Sequence, residues 1–161
     1  MTAPRPKISI VLDTLRSAYN TGNIFRIAEA VDATEIIACG YTPAPPHTKL
    51  EKTAMGADKL VKCRHFDTSL QAVKSLKAEG YNMILAVETV DNATSAWNMQ
   101  YEYPLALVFG NEALGISEET IQECDGCVNL PMLGNKKSIN VGNCAAVVLY
   151  SAVAYYDKKT S

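Results

Sequence analysis

The chain has 161 residues, of which 48% are hydrophobic and 20% are charged, and its formal net charge is −2. This composition is typical of one folded domain and excludes a largely disordered protein. We find neither a signal peptide nor an apolar stretch long enough for a comfortable membrane span, so we expect a soluble, cytoplasmic protein.

The cysteines give little indication of a metal or redox site. There are five, at positions 39, 63, 124, 127 and 144, an odd number that argues against a disulfide framework. Cys124 and Cys127 have the C-x-x-C spacing, but no second pair exists and both histidines lie far away in the sequence. We therefore expect no bound metal.

Charge is distributed unevenly along the chain. Residues 1–66 carry nine Lys and Arg against six Asp and Glu, a net of +3. Residues 67–161 carry six against eleven, a net of −5, and the total of −2 argues against strong nonspecific binding of nucleic acid. We expect any polyanion to meet the N-terminal part, together with Lys136 and Lys137.

Strand and helix patterns alternate along the sequence. Apolar runs predict strands at 8–12, 34–39, 59–65, 81–87, 105–109 and 128–130, and helical spacing predicts helices at 21–31, 69–79 and 141–156. Short helical segments are expected at 51–56 and after Ser117, and three prolines predict an irregular loop at 41–50. Asn20 or Thr21 is the expected N-cap of the first helix, and Gly80 the C-cap of the second. The alternation predicts an α/β fold with a mostly parallel sheet and helices on both faces.

The helix predicted at 141–156 is apolar nearly all round. Positions 141, 145, 148, 149 and 152 form one apolar stripe, and positions 147, 150, 154 and 155 form another. A helix with two apolar faces must be covered on both. In so small a chain the second cover is most simply another subunit, so we expect a homodimer.

Polar side chains follow the strands predicted at 105–109 and 128–130, and ligands of open α/β sheets bind outside the carboxyl ends of strands. With polar residues of the first helix they form one candidate set: Asn20, Asn23, Arg26, Asn111, Glu112, Ser138 and Asn140. Such a set suits an uncharged polar ligand with a phosphate or hydroxyl. Each member alone could equally be a helix cap or an ordinary loop residue. Glycine-rich nucleotide-binding patterns and the G-x-S-x-G of hydrolases are absent from the sequence.

Three motifs follow one another in this sequence. The first is Asn20-Thr-Gly-Asn-Ile-Phe-Arg26-Ile-Ala-Glu-Ala, and the second is Phe109-Gly-Asn-Glu112-Ala-Leu-Gly115. The third comprises Leu130-Pro-Met-Leu-Gly134 and Ser138-Ile-Asn-Val-Gly-Asn-Cys-Ala145. Together they resemble the SpoU (TrmH-like) branch of the SPOUT RNA methyltransferases, with one departure at Gly142, where that family more often has serine.

The resemblance implies a single SPOUT domain over 1–161, with a C-terminal deep trefoil knot and no separate RNA-binding domain. It also implies a homodimer that transfers a methyl group from S-adenosylmethionine to a ribose 2′-hydroxyl of tRNA or rRNA. By the family pattern, the cofactor-binding residues are Thr89, Gly110, Leu130, Met132, Ser138 and Ile139. The implied catalytic residues are Arg26, which acts against the partner subunit's cofactor, and Asn20, Glu112, Ser138 and Asn140.

RNA is expected to bind to basic residues of the dimer surface: Arg5, Lys7, Arg16, Lys49, Lys52, Lys136 and Lys137. The role of Arg26 stays open between a base and an electrostatic stabiliser, since a guanidinium is effectively always charged. Two other functions also stay open. One is a catalytically silent RNA-binding dimer, and the other is a methyltransferase that acts on a small nucleotide.

Overall fold

The computed structural model describes residues 4–161, which form seven strands and six helices. The strands are β1 (Ile8–Asp13), β2 (Glu35–Cys39), β3 (Cys63–Phe66), β4 (Met83–Val87), β5 (Thr94–Ser95), β6 (Leu105–Gly110) and β7 (Gly126–Asn129). The helices are α1 (Ala18–Ala30), α2 (Thr48–Ala54), α3 (Ala57–Leu60), α4 (Ser69–Ala78), α5 (Glu118–Glu123) and α6 (Val141–Thr160). The strands form one sheet in the order β3-β2-β1-β6-β4-β7-β5, and every pairing between them is parallel.

The sheet is buried on both faces, as the apolar strand runs predicted. Alternate side chains of a strand point to opposite faces, so Ile10 and Leu12 of β1 pack with α1 and α6, whereas Val11 packs with α4. Helices therefore cover both faces, and this part of the prediction is confirmed.

Most predicted elements are present, although their ends are shifted. The predicted N-cap of α1 is wrong: Ser17 is the N-cap, and its side chain accepts a hydrogen bond from the N–H of Asn20 at 3.1 Å. α1 therefore begins three residues earlier than predicted. The C-cap of α4 is Glu79, and Gly80 follows it with a φ of +91°. Gly80 thus lies just beyond the helix, where a left-handed residue commonly ends it.

The prediction for residues 41–66 is partly wrong. The irregular loop is shorter than expected, because His47 accepts a hydrogen bond from the N–H of Leu50 and α2 begins at Thr48. The strand predicted to begin at Lys59 begins only at Cys63, because residues 57–60 form α3. The left-handed Gly56 separates α2 from α3, and sequence patterns do not distinguish so short a helix from the start of a strand.

The last third of the chain also differs in detail. A two-residue strand, β5, lies in the segment expected to be irregular, and β7 begins at Gly126, two residues before the predicted start. α6 continues to Thr160, four residues past the predicted end. Its first stripe packs into the core, with Ala145, Val148, Leu149 and Ala152 all buried.

Candidate active site at the carboxyl edge of the sheet

A cavity of about 370 Å³ lies at the carboxyl edge of the sheet. β4 lies between β6 and β7, so the loops after these three strands meet there, and the first turns of α1 and α6 close the remaining side. All the residues predicted to bind a cofactor line this cavity: Thr89, Gly110, Leu130, Met132, Ser138 and Ile139. Its wall combines backbone groups with apolar side chains, which suits a small organic ligand.

Glu112 fixes the loop after β6 to the start of α1. Its carboxylate accepts hydrogen bonds from the backbone N–H groups of Arg16 at 3.0 Å and Ser17 at 3.1 Å. The side-chain amide of Asn20 donates a third, at 3.0 Å. Burial alone would raise the pKa of Glu112, but these donors hold it below its usual value. Glu112 is therefore an ionised carboxylate with several donors from its own chain.

Asn140 connects the same network to α6. Its side-chain amide donates a hydrogen bond of 3.0 Å to the side-chain oxygen of Asn20. Its own side-chain oxygen accepts hydrogen bonds from the N–H groups of Gly142 at 2.8 Å and Asn143 at 3.2 Å, so Asn140 is also the N-cap of α6. The cap interpretation and the site interpretation of Asn140 are thus compatible, because its oxygen and its amide serve different partners.

Asn111 holds the loop rather than lining the cavity. Its side-chain amide donates to the carbonyl of Thr14 at 2.7 Å and to the hydroxyl of Tyr41 at 3.0 Å. Its oxygen accepts from the N–H groups of Ala113 at 2.8 Å and Leu114 at 2.9 Å. These bonds order the turn between β6 and α5, so Asn111 acts on the site indirectly, through the shape of that turn.

Gly110 allows this turn to fold back on its strand. A Cβ built at Gly110 would lie 2.5 Å from the carbonyl carbon of Gly115 and 2.5 Å from the nitrogen of Ile116. No side chain fits between backbones this close, which explains the glycine that ends β6.

Glu88 and Cys144 line the cavity, although sequence reasoning did not select them. Burial raises the pKa of the Glu88 carboxyl, a hydrogen bond from the Ile116 N–H opposes this, and nearby Asp13 raises it further. Burial also raises the pKa of the Cys144 thiol to about 11, so this thiol is neutral. Glu88 directly follows β4, and the rule that ligands bind at strand ends could have found it.

Arg26 lies outside the cavity formed by its own chain. It is the ninth residue of α1, exposed, and nearly two helical turns beyond Asn20. Asn20, Glu112, Ser138 and Asn140 do line the cavity. The structure therefore brings four of the five predicted catalytic residues together within one chain.

Among the residues predicted to contact RNA, Lys137 lines the cavity, and Lys136 precedes it in the same exposed loop. Arg16 is exposed in the loop after β1, and Lys49 and Lys52 are exposed on α2. Arg5 and Lys7 lie before β1, at the opposite edge of the sheet, where Arg5 pairs with Asp157 at 3.0 Å. Those two residues are therefore remote from the cavity.

Comparison with known proteins identifies the family. The model of the SpoU rRNA methylase family matches residues 7–150, which is most of the chain. This chain belongs to the SpoU rRNA methylase family. The three motifs noted in the sequence lie within the matched residues and meet at the cavity.

Two curated relatives of this SpoU family member represent different RNA substrates. The tRNA (guanosine(18)-2′-O)-methyltransferase of Thermus thermophilus is 31% identical over 148 residues, 92% of this chain and 75% of that protein. A 23S rRNA (guanosine-2′-O-)-methyltransferase of Ralstonia nicotianae is 30% identical over 149 residues, 92% of this chain and 59% of that protein. The chain thus spans between about three fifths and three quarters of these relatives.

Solved structures show that this SpoU family member has the fold of known TrmH-like proteins. The TrmH/SpoU tRNA modifying enzyme of A. aeolicus has a TM-score of 0.85 at 24% identity, over 97% of this chain and 78% of that chain. The SpoU methyltransferase AviRb of Streptomyces viridochromogenes also has a TM-score of 0.85, at 23% identity, over 97% of this chain and 62% of that chain.

Three further features were not found among residues 4–161: a cluster of metal ligands, a disulfide and a membrane-spanning helix. Within residues 4–161, His, Cys, Asp and Glu form no group of three that could hold a metal ion. All five cysteines are free. No helix among these residues is both long and apolar enough to pass through a bilayer.

Proposed function

We propose that this chain is an S-adenosylmethionine-dependent RNA (ribose-2′-O)-methyltransferase. The observation that carries the proposal is the cavity, which collects residues of all three SpoU motifs at the carboxyl edge of the sheet. The names of the relatives, a tRNA and an rRNA 2′-O-methyltransferase, support the same reaction. Such an enzyme works on RNA in the cytoplasm.

The cavity fits the proposed cofactor by size and by chemistry. Its volume of about 370 Å³ lies in the range of small-molecule sites. Leu130, Met132 and Ile139 offer apolar surface for an adenine ring, and the backbone near Gly110 and Leu130 offers polar groups for its edge. When bound there, S-adenosylmethionine supplies an electrophilic methyl group.

We also infer that the loop of residues 130–140 forms part of a deep trefoil knot, as in the SPOUT class. Two features of the chain path support this. β7 lies two strands away from β6, yet α6 returns to pack against α1 and β6. Between them, the loop crosses the carboxyl edge of the sheet and contributes Lys137, Ser138 and Ile139 to the cavity.

A homodimer is the second structural part of the proposal. Val147 and Tyr150, in the second apolar stripe of α6, are 47% and 53% exposed. Tyr155 of that stripe is instead half-buried, with its ring 5.8 Å from that of Tyr101. The exposed part of the stripe is a suitable surface for a second copy of the chain.

Dimerisation would also explain why Arg26 lies outside its own cavity. Tyr19 and Arg26 are seven residues apart on α1, so they share a face, and Tyr19 is 68% exposed. A partner that covers this face would receive Arg26 at its own cavity. The site would then be complete only in the dimer.

In the proposed reaction, the ribose 2′-hydroxyl would accept the methyl group that the cofactor supplies, its proton would pass to water, and the bonding electrons would remain on sulfur in the neutral thioether product. The guanidinium of Arg26 would hold a phosphate and stabilise the negative charge that develops on the 2′-oxygen. Asn20, Glu112 and Asn140 would keep the first turns of α1 and α6 in register around the cavity. Ser138 would contact the ligand from the loop.

RNA would approach over the cavity mouth. Lys137 lines the cavity and Lys136 precedes it in the same exposed loop, while Arg16, Lys49 and Lys52 add exposed positive charge near α1 and α2. The net charge of −2 predicts that such binding is local rather than spread over the surface. A single-stranded loop of tRNA or rRNA is the expected target, since proteins read RNA sequence mainly in unstacked bases.

The direct test uses purified protein, labelled S-adenosylmethionine, and separate pools of tRNA and rRNA that lack modifications. We expect one pool to accept label at a ribose, which is then mapped by its resistance to alkaline cleavage. A third reaction contains mononucleotides in place of RNA, and label there but in neither RNA pool would favour the small-nucleotide alternative. RNA binding without any methyl transfer would favour the silent RNA-binding dimer.

A complementation experiment tests whether Arg26 acts on the partner's cavity. Arg26→Ala removes the guanidinium, and Ile139→Trp fills the cavity of its own chain. Each homodimer should be inactive, with activity lower by about 100-fold or more for Arg26→Ala. Mixed dimers should regain activity, because one cavity is intact and receives Arg26 from the other subunit. If mixing restores nothing although mixed dimers form, Arg26 does not act across the interface.

Arg26→Lys separates charge from geometry in the same assay. A lysine keeps the positive charge but lacks the planar fork of donors. We expect cofactor binding to be retained, while methyl transfer is lost. Unchanged turnover would refute a chemical role for this residue.

A further inference from the structure

Glu88 places a carboxyl group in the cavity that has no ionic partner among residues 4–161. It directly follows β4, which lies between β6 and β7. The backbone of Glu88 is therefore near the middle of the cavity. Within residues 4–161, the ion pairs involve other carboxylates, and none of the Lys or Arg side chains pairs with Glu88.

The surrounding loop is shaped to accommodate this carboxylate. Gly115 has a φ of +73°, and a Cβ built there would lie 2.6 Å from Oε1 of Glu88. The carboxyl group therefore occupies space that any other residue at position 115 would fill. The backbone N–H of Ile116 opposes the effect of burial on the pKa of this carboxyl. Glu88 thus packs against the turn after β6 as part of the cavity wall.

The charges of the cavity favour a cationic ligand. Its acidic and basic lining residues are Glu88, Glu112 and Lys137, which sum to −1 when both carboxyl groups are ionised. Glu112 already accepts three hydrogen bonds from its own chain, so Glu88 is the carboxylate with capacity for a ligand. Burial makes the ionised form of Glu88 less favourable in free energy. A bound cation would offset this effect, whereas a bound phosphate would add to it.

We propose that Glu88 is a specificity-determining residue that faces the sulfonium of S-adenosylmethionine and favours this charged methyl donor over its neutral product. The inference rests on the proposed function. Methyl transfer converts the sulfonium into an uncharged thioether, so the attraction exists before transfer and is lost after it. Glu88 would thereby favour donor binding and product release without touching the RNA.

Isothermal titration calorimetry of the purified protein tests this with three ligands. S-adenosylmethionine carries the sulfonium, S-adenosylhomocysteine is the neutral product, and sinefungin carries an amine that is protonated at the corresponding position. Glu88→Gln should weaken binding of the two charged ligands by about tenfold and leave the product unchanged. Glu119→Gln, which removes an exposed carboxylate of α5 outside the cavity, should change none of the three.

Each other outcome has a distinct meaning. Equal weakening of all three ligands by Glu88→Gln would show that Glu88 holds a group common to them, which overturns the inference. No change for any ligand overturns it as well. If the unaltered protein binds neither the donor nor the product, the proposed function itself fails. Retained product binding by Glu88→Gln demonstrates that the variant cavity is folded.

Discussion

The side-chain amide of Asn140 donates a 3.0 Å hydrogen bond to the side-chain oxygen of Asn20, across 120 residues of sequence. Asn20 in turn donates to Glu112 at 3.0 Å, so one chain of side chains joins α6, α1 and the loop after β6. Each residue comes from a different motif. Their mutual contact joins three separated motifs at one cavity, so displacing one element would disturb the other two.

Asn140→Ala and Asn140→Asp separate the two tasks of this side chain. Alanine removes both the cap of α6 and the bond to Asn20, so we expect a loss of about 1 kcal/mol in the free energy of unfolding. Aspartate keeps an acceptor for the cap, and its charge suits a helix N-terminus, but it cannot donate to Asn20. Urea denaturation should therefore show near-normal stability for Asn140→Asp.

Methyl transfer should fall in both variants, by about tenfold or more, because both lose the bond that aligns α1 with α6. Single-turnover assays with RNA measure this. Full activity in Asn140→Asp would mean that the cap alone matters and that the bond to Asn20 is incidental.

The sequence predicts the fold and much of the site for physical reasons that differ between regions. Buried parallel strands require nearly continuous apolar runs, so β1 and β6 are found almost to the residue. The resemblance to the SpoU family then indicated Gly110, Leu130 and Ser138, and all three line the cavity. Short elements are less predictable, because α3 and β5 are too short to show a period of their own.

Local hydrogen bonds determine where two helices begin, which the hydrophobic patterns of the sequence do not show. Ser17 and His47 cap α1 and α2 through side chains that lie before the apolar period begins, so both helices start earlier than the pattern indicates. Glu88 was missed for a different reason: its place directly after β4 is its only mark in the sequence, and the residues that pack around it, Gly115 and Ile116, are distant in sequence.

Glu112 predicts a specific dependence of stability on pH. Its folded-state pKa lies below the ordinary value of 4.5, so its ionised form stabilises the fold above that pH. This contribution is lost as the pH falls through the lowered pKa. Since the side chain is partly exposed, we expect Glu112→Gln to lower the free energy of unfolding at pH 7 by about 1 kcal/mol or less. This part of the stability would no longer depend on acid pH.

Urea denaturation at pH 7 and at progressively lower pH measures the effect. The difference in stability between the natural chain and Glu112→Gln should shrink as the pH falls below 4.5. Glu51→Gln, an exposed carboxylate on α2, provides the control. A constant difference at every pH would show that the Glu112 interactions do not depend on its charge.

Gly110→Ala and Gly134→Ala form a matched pair. A Cβ at Gly110 meets two backbone atoms at 2.5 Å, neither of which can rotate away, whereas a Cβ at Gly134 meets nothing within 4 Å. We expect Gly110→Ala to cost about 1–3 kcal/mol or more and Gly134→Ala to be nearly neutral. Thermal unfolding distinguishes them, and similar melting temperatures for both variants would contradict the close approach of β6 to its turn.

Gly142→Ser introduces the serine that the resemblance to the SpoU branch leads us to expect at this position. The structure predicts that this change slightly lowers the stability of the fold. A Cβ at position 142 would lie 2.7 Å from the side-chain nitrogen of Asn23 and 3.1 Å from the side-chain oxygen of Asn140. The nearer atom is the end of a flexible side chain on α1, which can rotate away. We expect a loss of about 1 kcal/mol or less.

A double-mutant cycle with Asn23→Ala identifies the cause. If the cost of Gly142→Ser comes from crowding against Asn23, the serine should cost nothing once Asn23 is shortened, and the two effects should not add. If the effects add, the crowding instead involves the Asn140 cap, and the serine should then lower methyl transfer as well. Urea denaturation of the four proteins shows whether the two effects on stability add. Crowding against Asn23 would leave the bond between Asn140 and Asn20 intact, whereas crowding against the Asn140 cap would not.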